Sequence, residues 1–402
     1  MTREEIYNQC VEKISKTNCL LLEAATGVGK TLISIRLCNH LINSKWYKDR
    51  KEIKILLLVA KIVHKQTWKD EIAKWGGINH PTATINLCME CYESLHKHTK
   101  EYWDIIILDE VHHVGSDARL DNLSTIKYGY MIGLSATIPF NTKQYFKFNY
   151  HAQIVSCDIT EAIDSEVLPE PTILLYPLQL ETTKVSEVLE LHTNAPGTAV
   201  HCDYKDLYKY KFKNIHVFCR CTQQQKLNEL DRMIEWFKKK TMSNPRMKQT
   251  WLYFCGKRLE FLADCKLQWV KLILHHLDKE RTITFCKTIP QTELLGKNCI
   301  HSKNKQATQI YNDFNAKKID HITAVNILNE NANLVDCKYA VFCNISSSEV
   351  VIPQRLGRAM RHKSPVIVMP YYKGTREEEV ITKMLEGFNQ DYIKTIHSIK
   401  EI

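Results

Sequence analysis

Short apolar runs alternate with amphipathic stretches through the first 140 residues of the chain. The apolar runs, each too short for a helix, lie at 19–22, 55–60, 84–87, 105–108 and 131–134. Between them, residues 31–43 and 66–75 carry apolar positions at helical spacing. Buried strands that alternate with helices are typical of a parallel sheet covered on both faces. The pattern therefore predicts an α/β domain over residues 1–150.

The second half repeats this pattern after an interruption. Candidate strands lie at 282–286, 322–325, 339–342 and 366–369. The segment at about 180–260 differs, since it is richer in Lys, Tyr and His, has a turn signal at Asn194-Ala-Pro-Gly197 and an amphipathic pattern over 224–240. We predict a second α/β domain over 151–402, with a hairpin and helices inserted at about 180–260.

Composition restricts the class of protein. The 402 residues are 44% hydrophobic and 25% charged, which excludes a disordered or fibrous chain. A net charge of +10 favours a polyanionic partner. Fifteen scattered cysteines are typical of reduced thiols inside a cell. The N-terminus has no apolar signal region and no apolar run reaches the roughly 18 residues of a membrane span, so we expect a cytoplasmic protein without a membrane partner.

Glycine clusters where the first strand meets the first helix. The sequence Ala24-Ala-Thr-Gly-Val-Gly-Lys-Thr31 follows an apolar strand and precedes an amphipathic helix. Phosphate-binding loops need such glycines, because successive backbone N–H groups must turn toward the anion at a helix N-terminus. Lys30 would reach the β- and γ-phosphates, and the Thr31 hydroxyl would bind Mg²⁺. Ala24 replaces the usual first glycine. The predicted nucleotide contacts are Ala25, Thr26, Gly27, Val28, Gly29, Lys30 and Thr31.

Two acidic residues end the buried strand at 105–108. Asp109 is placed to hold Mg²⁺, and Glu110 to polarise the water that attacks the γ-phosphate. Without the phosphate-binding loop, a solvated strand end would be the simpler interpretation.

Together these segments resemble motifs I and II of a superfamily 2 helicase of the DExH type. The other motifs follow in order. Gly133-Leu-Ser-Ala-Thr137 resembles motif III, residues 58–61 with 66–75 resemble motif Ia, and residues 282–286 with 300–302 resemble motif IV. Gln354-Arg-Leu-Gly-Arg-Ala-Met-Arg361 resembles motif VI, but motif V departs from the pattern, with Asn331 and Asn333 in place of Gly and Asp.

The resemblance implies two tandem RecA-like domains with ATP and Mg²⁺ in the cleft between them. It implies catalytic roles for Lys30, Asp109 and Glu110, and for Gln354, Arg358 and Arg361 of motif VI. Because Arg358 and Arg361 are three residues apart, a helix would present both on one face toward the triphosphate. His112, Ser135, Thr137 and Glu330 would couple hydrolysis to movement. Arg3 and Gln9 resemble an adenine-reading element, although a surface helix would show the same residues.

The resemblance also implies a nucleic-acid track across the face opposite the ATP cleft. Its candidate contacts are Lys61, Tyr92, Ser94, Lys287 and Ser302. In the insertion, Lys209, Lys211 and Lys213 alternate with aromatic residues, which at strand period two gives one basic and one aromatic face. This segment is either a hairpin that contacts a duplex or fork, or an edge strand protected by its lysines.

The resulting functional prediction is an ATP-dependent DNA helicase or translocase that remodels forks, junctions or duplexes in repair, recombination or branch migration. DNA is favoured over RNA because the chain resembles the DNA-remodelling DExH group that includes XPB, RecG, UvsW-type phage helicases and type III restriction motor subunits. The alternatives are an RNA-dependent ATPase and an ATP-gated nucleic-acid clamp. We expect a monomer that takes specificity from the insertion or a protein partner. The Cys88-Met-Glu-Cys91 spacing lacks a second pair and predicts no zinc site, and Lys238-Lys-Lys240 is most simply a solvated helix end.

Overall fold

The computed structural model describes residues 1–191, 199–210, 215–325, 334–346, 362–386 and 388–402. Of the helices in these ranges, none combines the length and apolar character that a membrane span requires.

The first sheet has six strands, all parallel, in the order β3-β2-β4-β5-β1-β6. Its strands are β1 (Cys19–Ala24), β2 (Glu52–Val59), β3 (Thr84–Cys91), β4 (Tyr102–Asp109), β5 (Lys127–Ser135) and β6 (Gln153–Cys157). Five of them contain the apolar runs found in the sequence, and the short β6 was not predicted. Because β6 pairs with β1, the first sheet extends past the predicted boundary at residue 150.

Helices cover this sheet and connect its strands. They are α1 (Arg3–Thr17), α2 (Lys30–Ile42), α3 (Ile62–Lys74), α4 (Asp117–Ser124) and α5 (Phe140–Tyr150), with 3-10 turns at Tyr92–His98 and Val111–Val114. A capping box between Thr2 and Glu5 starts α1, and Asn18 ends it in the left-handed conformation with φ of 59°. The buried face of α1 then packs against β6 and α2 through Ile6, Cys10 and Ile14.

A short helix, α6 (Ile159–Asp164), leads to the second sheet, which contains seven parallel strands in the described residues. Their order is β12-β13-β11-β14-β15-β7-β16. The strands are β7 (Thr172–Leu178), β11 (Thr282–Phe285), β12 (Cys299–Ile300), β13 (His321–Ala324), β14 (Tyr339–Phe342), β15 (Val366–Tyr372) and β16 (Ile393–Thr395). The helices are α9 (Ile289–Leu295), α10 (Ala307–Asn315) and α11 (Arg376–Met384). Two parallel α/β sheets in tandem confirm the predicted fold class.

The segment between β7 and β11 forms a small sheet followed by a helical hairpin. The sheet contains β8 (Glu187–Leu191), β9 (Val200–Asp203) and β10 (Val217–Cys221), with β10 in the centre, antiparallel to β8 and parallel to β9. The hairpin consists of α7 (Gln223–Ser243), a 3-10 turn at Pro245–Met247 and α8 (Lys248–His276). The carboxyl-terminal half of α8 continues past residue 260 into the core of the second domain, where Ala263, Val270 and Ile273 are buried.

The strand pattern predicted around Lys209 is wrong. Tyr204–Lys209 is a 3-10 helix, in which Lys209 bonds Asp206 three residues earlier, Nζ to Oδ1 at 2.8 Å. The Tyr204 hydroxyl also donates to Glu229 of α7 at 3.0 Å. These two contacts favour a turn over an extended chain in the described residues 204–210. Lys211 and Lys213 lie outside the described residues.

Candidate nucleotide-binding site

The phosphate-binding loop joins β1 to α2 at the carboxyl edge of the first sheet. Gly27 and Gly29 have φ values of 100° and 101°, a region that side chains disfavour. The loop therefore needs glycine at both positions. Ala24, by contrast, is the last residue of β1 and is extended and buried, so this position does not need the glycine that usually stands there. Lys30 begins α2, and its Nζ donates to the Ala24 carbonyl oxygen at 2.9 Å.

The first helix contributes to the same loop. Arg3 Nε donates to the Val28 carbonyl oxygen at 2.9 Å, and Arg3 Nη2 to the Val167 carbonyl oxygen at 3.4 Å. Arg3 therefore braces the loop against the chain that leads to the second sheet. The Gln9 amide donates to Met1 Sδ at 3.0 Å. Of the two α1 residues named for adenine, it is therefore Arg3 that contacts the loop.

Strand register brings the motifs to one edge of the sheet. In the parallel pairs, Ser135 of β5 lies beside Glu23 of β1, and Asp109 of β4 lies beside Leu134 of β5. The phosphate-binding loop, the acidic pair and Gly133–Thr137 therefore follow three adjacent strands at their carboxyl ends. Ligand sites in open α/β sheets lie at this edge.

Asp109 is 5% exposed and is held by two aromatic residues. Trp68 of α3 donates from Nε1 to Asp109 Oδ2 at 2.8 Å, and the Tyr92 hydroxyl donates to the Asp109 carbonyl oxygen at 2.8 Å. Burial, assisted by the Asp109 and Glu110 carboxylates, raises the pKa of Tyr92 well above its usual value. The Tyr92 hydroxyl therefore remains protonated and remains a donor.

Glu110 belongs to a compact polar group with His112 and Ser135. Ser135 Oγ lies 3.0 Å from Glu110 Oε2 and 3.0 Å from His112 Nδ1, and His112 Nδ1 lies 3.4 Å from Glu110 Oε2. Glu110 has a positive φ of 52°, which turns the chain sharply after β4. Thr137 joins through its backbone, since its N–H donates to Ser135 Oγ at 3.3 Å and its carbonyl oxygen accepts from it at 2.9 Å. Four of the predicted catalytic and coupling residues are thus in direct contact.

Two further residues support this edge and were not predicted. Trp68 lies within the stretch that resembles motif Ia, and a buried indole N–H needs an acceptor, which is the signal that could have identified it. Glu23 of β1 accepts from the Ile138 N–H at 2.8 Å and pairs with Lys143 Nζ at 2.6 Å. Its position within an apolar strand is the corresponding signal, since a charged residue there needs a partner. Glu23 thereby fixes the chain that follows Thr137.

The donor set at this edge fits Mg²⁺ with a nucleotide. The Thr31 hydroxyl at the start of α2 and the buried Asp109 carboxylate offer the oxygen ligands that Mg²⁺ prefers. The two glycines leave the loop without side chains that would obstruct phosphate groups. Thr31 and Asp109 are therefore the residues that would hold Mg²⁺, and the glycine loop is the part that would hold the phosphates.

The predicted nucleic-acid contacts differ in their exposure. Lys61 and Ser302 are exposed at the carboxyl ends of β2 and β12, and Ser94 and Lys287 are half-buried. The prediction for Tyr92 is wrong, because this side chain is only 1% exposed. Its hydroxyl donates to the Asp109 carbonyl oxygen, so Tyr92 supports the acidic strand instead of facing a nucleic acid. Lys209 is exposed but paired with Asp206. The motif V and VI residues Glu330, Asn331, Asn333, Gln354, Arg358 and Arg361 lie outside the described residues.

The Cys88 and Cys91 thiols do not converge on one site, because positions three apart on strand β3 point to opposite faces. Cys88 instead lies with Glu90 and His98, whose possible ligand atoms are within 4.8 Å of one another. Lys65 Nζ lies 3.1 Å from Glu90 Oε2, so this carboxylate already has a cation partner.

Two protein-family models match this chain, one in each α/β domain. Residues 2–140 match the family model described as type III restriction enzyme, res subunit, and residues 265–363 match that of the helicase conserved C-terminal domain. Together the two matches cover more than half of the chain. Among curated proteins, no sequence match is found.

Solved structures share the fold at low sequence identity. The ATP-dependent Type ISP restriction-modification enzyme LlaBIII bound to DNA matches 99% of this chain with a TM-score of 0.59 and 13% identity. This chain spans 31% of that enzyme's length. Dbp5 of S. cerevisiae, bound to RNA and ADP BeF3, matches 98% of this chain and 89% of its own length, with a TM-score of 0.59 and 10% identity.

A phosphate-binding loop and an acidic strand end on tandem RecA-like domains define the class of ATP-hydrolysing P-loop motors. Within that class, the two family matches place the chain among the superfamily 2 helicases. The family predicted from the motifs is thereby confirmed.

Proposed function

We propose that the chain is an ATP-driven motor that moves on DNA and remodels forks, junctions or duplexes. The observation that supports this most directly is the contact of Glu110 with Ser135 and His112 at 3.0 and 3.4 Å. This contact joins the acid of motif II to motif III beside the phosphate-binding loop. A change at the γ-phosphate would reach the chain after β5 through it.

Each residue of the edge takes a role in this proposal. Lys30 Nζ would exchange the Ala24 carbonyl oxygen for the phosphate oxygens of ATP. Thr31 and Asp109 would hold Mg²⁺, which supplies neutralisation of the phosphate charge. Ser135 and His112 would keep Glu110 aimed at the attacking water, for which it acts as general base.

The second domain would complete the site. Arg358 and Arg361 are assigned as arginine fingers, with Gln354 beside them and Glu330 in coupling. This assignment rests on the motif VI sequence and on the family match over residues 265–363. Arg361→Ala should keep ATP binding and lose most of the hydrolysis, which is the signature of a group that acts in the transition state.

DNA is preferred to RNA in this proposal because the first domain matches the restriction-subunit model and the LlaBIII structure is bound to DNA. Dbp5 is bound to RNA and shares the fold, so an RNA-dependent ATPase is the second candidate. An ATP-gated clamp with poor turnover is the third, based on Asn331 and Asn333 in motif V. The proposal also includes a monomer that takes its specificity from a protein partner. A cytoplasmic location is proposed because all fifteen cysteines are free thiols.

Steady-state ATP hydrolysis tests these alternatives. The protein is assayed alone and with single-stranded DNA, forked DNA, a four-way junction and structured RNA at one salt concentration. Strong stimulation by forks or junctions supports the DNA motor, and stimulation by RNA alone transfers the protein to the second candidate. No stimulation by any nucleic acid, with binding retained, favours the clamp. Absence of both stimulation and binding contradicts the proposal.

A further inference from the structure

The far end of the helical hairpin carries an uncompensated positive charge. Between Glu235 and Glu260 the sequence contains seven Lys or Arg residues and no Asp or Glu. The hairpin brings five of these together at the end of α7 and the start of α8. We call this group the basic tip, and it consists of Lys238, Lys239, Lys240, Arg246 and Lys248.

All five residues of the basic tip are exposed, and within the described part of the chain none has an ion-pair partner. The two cations nearer the core are paired, Lys257 with Glu260 at 2.9 Å and Arg258 with Asp231 at 2.8 Å. Among the residues that the structure describes, the positive charges of the hairpin are therefore paired near the core and unpaired at its far end. Like charges this close repel one another, which favours binding of a polyanion.

Helix stability explains only part of this charge. Lys240 lies in the last turn of α7, where a cation complements the helix dipole. Lys248 is the first residue of the 29-residue α8 and Arg246 lies in the 3-10 turn just before it, so both stand near a helix N-terminus, where the dipole disfavours cations. The first turn of α8 has no acidic residue to offset them. The hairpin thus places two more cations, Arg246 and Lys248, next to Lys238–240. A solvated helix end does not explain these two.

Two exposed aromatic rings lie on the same helices as these cations. Trp236 of α7 is 49% exposed and Tyr253 of α8 is 56% exposed. Both line a groove of about 1240 Å³ between the hairpin and β8. Lys240 Nζ lies 4.1 Å from the centre of the Trp236 ring. Cations beside exposed aromatic faces are the combination that binds unpaired nucleic-acid strands, through phosphates and stacked bases.

The hairpin is fixed to the second domain. Phe237 and Phe254 stack across it with ring centres 5.1 Å apart. Further along α8, the buried Lys266 Nζ pairs with Glu377 Oε1 of α11 at 2.6 Å. Lys248 is 18 residues from Lys266, about 27 Å along a helix that rises 1.5 Å per residue. One continuous helix thus connects the basic tip to the second domain's core.

We propose that the basic tip is a second nucleic-acid site, which holds the phosphodiester backbone of an unpaired strand and stacks a base on Trp236. This site lies in the insertion, apart from the residues assigned to the track at the sheet edges. The inference rests on the proposed function, because it requires that nucleic acid is the substrate.

The salt dependence of binding tests the phosphate contacts. Lys238, Lys239, Lys240, Arg246 and Lys248 are all changed to Gln, and binding of single-stranded DNA is followed by fluorescence anisotropy over a range of salt. Each lost phosphate contact lowers the slope of log K against log salt by about 0.7, so the slope should fall by about 3 to 4. The matched control changes five exposed lysines elsewhere to Gln, namely Lys279, Lys373, Lys383, Lys394 and Lys400. A slope unchanged from wild type, or a fall equal to that of the control, overturns the proposal.

Stacking has its own test. Trp236→Leu should weaken binding of single-stranded DNA about tenfold and binding of blunt duplex much less. Trp46→Leu is the control, since Trp46 is 83% exposed and lies outside the insertion. Equal small effects of the two substitutions overturn the stacking contact.

Basal ATPase activity distinguishes failure of the proposed function from failure of the basic-tip site. It should be unchanged in all these variants, because none of the substituted residues belongs to the nucleotide site. A wild-type protein that neither binds nor responds to nucleic acid removes the proposed function. A responsive wild type with an inert basic tip removes only this inference.

Discussion

The two α/β domains are built from the same pattern but differ in how they use it. Strands of the first sheet contain five to nine residues, and their carboxyl ends carry the nucleotide-site residues. Strands of the second sheet contain two to seven residues. Among its described residues, the buried ion pair of Lys266 with Glu377 anchors the long helix α8. The first domain thus organises chemistry at one edge, whereas the second anchors an insertion, so the two should respond differently to substitution.

The largest effect is expected at the edge of the first domain. Glu110→Gln should keep ATP binding and lower hydrolysis by about 10³-fold or more, because the general base is lost while the phosphate contacts remain. Nucleotide binding and steady-state turnover are measured side by side, with the exposed Asp121→Asn as control. Turnover near wild type would remove Glu110 from this role and, with it, the contrast between the domains.

A buried charge in the second domain gives the next largest effect. Lys266 is 0% exposed, and its Nζ also donates to the Pro370 carbonyl oxygen at 3.3 Å. Lys266→Ala should cost about 3–5 kcal/mol of unfolding free energy, since Glu377 would remain buried without its partner. Urea unfolding measures this cost, and the exposed Lys271→Ala on the same helix is the control.

The double variant Lys266→Met with Glu377→Leu sharpens the comparison. Replacing both charges by apolar groups should recover most of the stability lost by Lys266→Ala. A single variant as stable as wild type would mean that α8 is not anchored by this pair.

Trp68→Phe addresses how the acidic strand of the first domain is held. It removes the donor to Asp109 Oδ2 and should cost about 1.5–3 kcal/mol, as expected for a hydrogen bond to a charged group. It should also raise the KM for ATP. Trp75→Phe is the matched control, because the Trp75 indole is exposed and donates to Glu71 at 2.7 Å. Equal costs for the two substitutions would contradict the special position of Trp68.

The smallest effects are expected at helix caps, one in each region. Thr222 caps α7 through the Gln225 N–H and is buried, whereas Thr2 caps α1 through the Glu5 N–H and is exposed. Thr222→Ala should cost about 1–2 kcal/mol and Thr2→Ala about 0.5 kcal/mol. Thermal unfolding compares them, with Ser in place of each Thr as the conservative control. A reversed order would show that burial does not set the cost of these caps.

Predictability from the sequence also differs between the regions. Runs such as 105–108 are long enough to predict β4, and the motif spacing predicts where Lys30 and Glu110 stand. The bond from Trp68 to Asp109 joins positions 41 apart in the sequence, and it depends on how α3 packs against β2 and β3. Around Lys209 an alternating pattern coincides with a 3-10 helix, because local pairing with Asp206 outweighs the strand preference of the aromatic residues. Long-range contacts and short local pairs are thus the features that periodicity does not contain.

The 27 Å between Lys266 and Lys248 makes α8 a lever arm. If the second domain's core turns by about 10° as a rigid body about its anchored end, the basic tip sweeps roughly 5 Å. The axial rise of one nucleotide is about 3.4 Å. Such a rotation would therefore move the basic tip by more than the rise of one nucleotide along a strand.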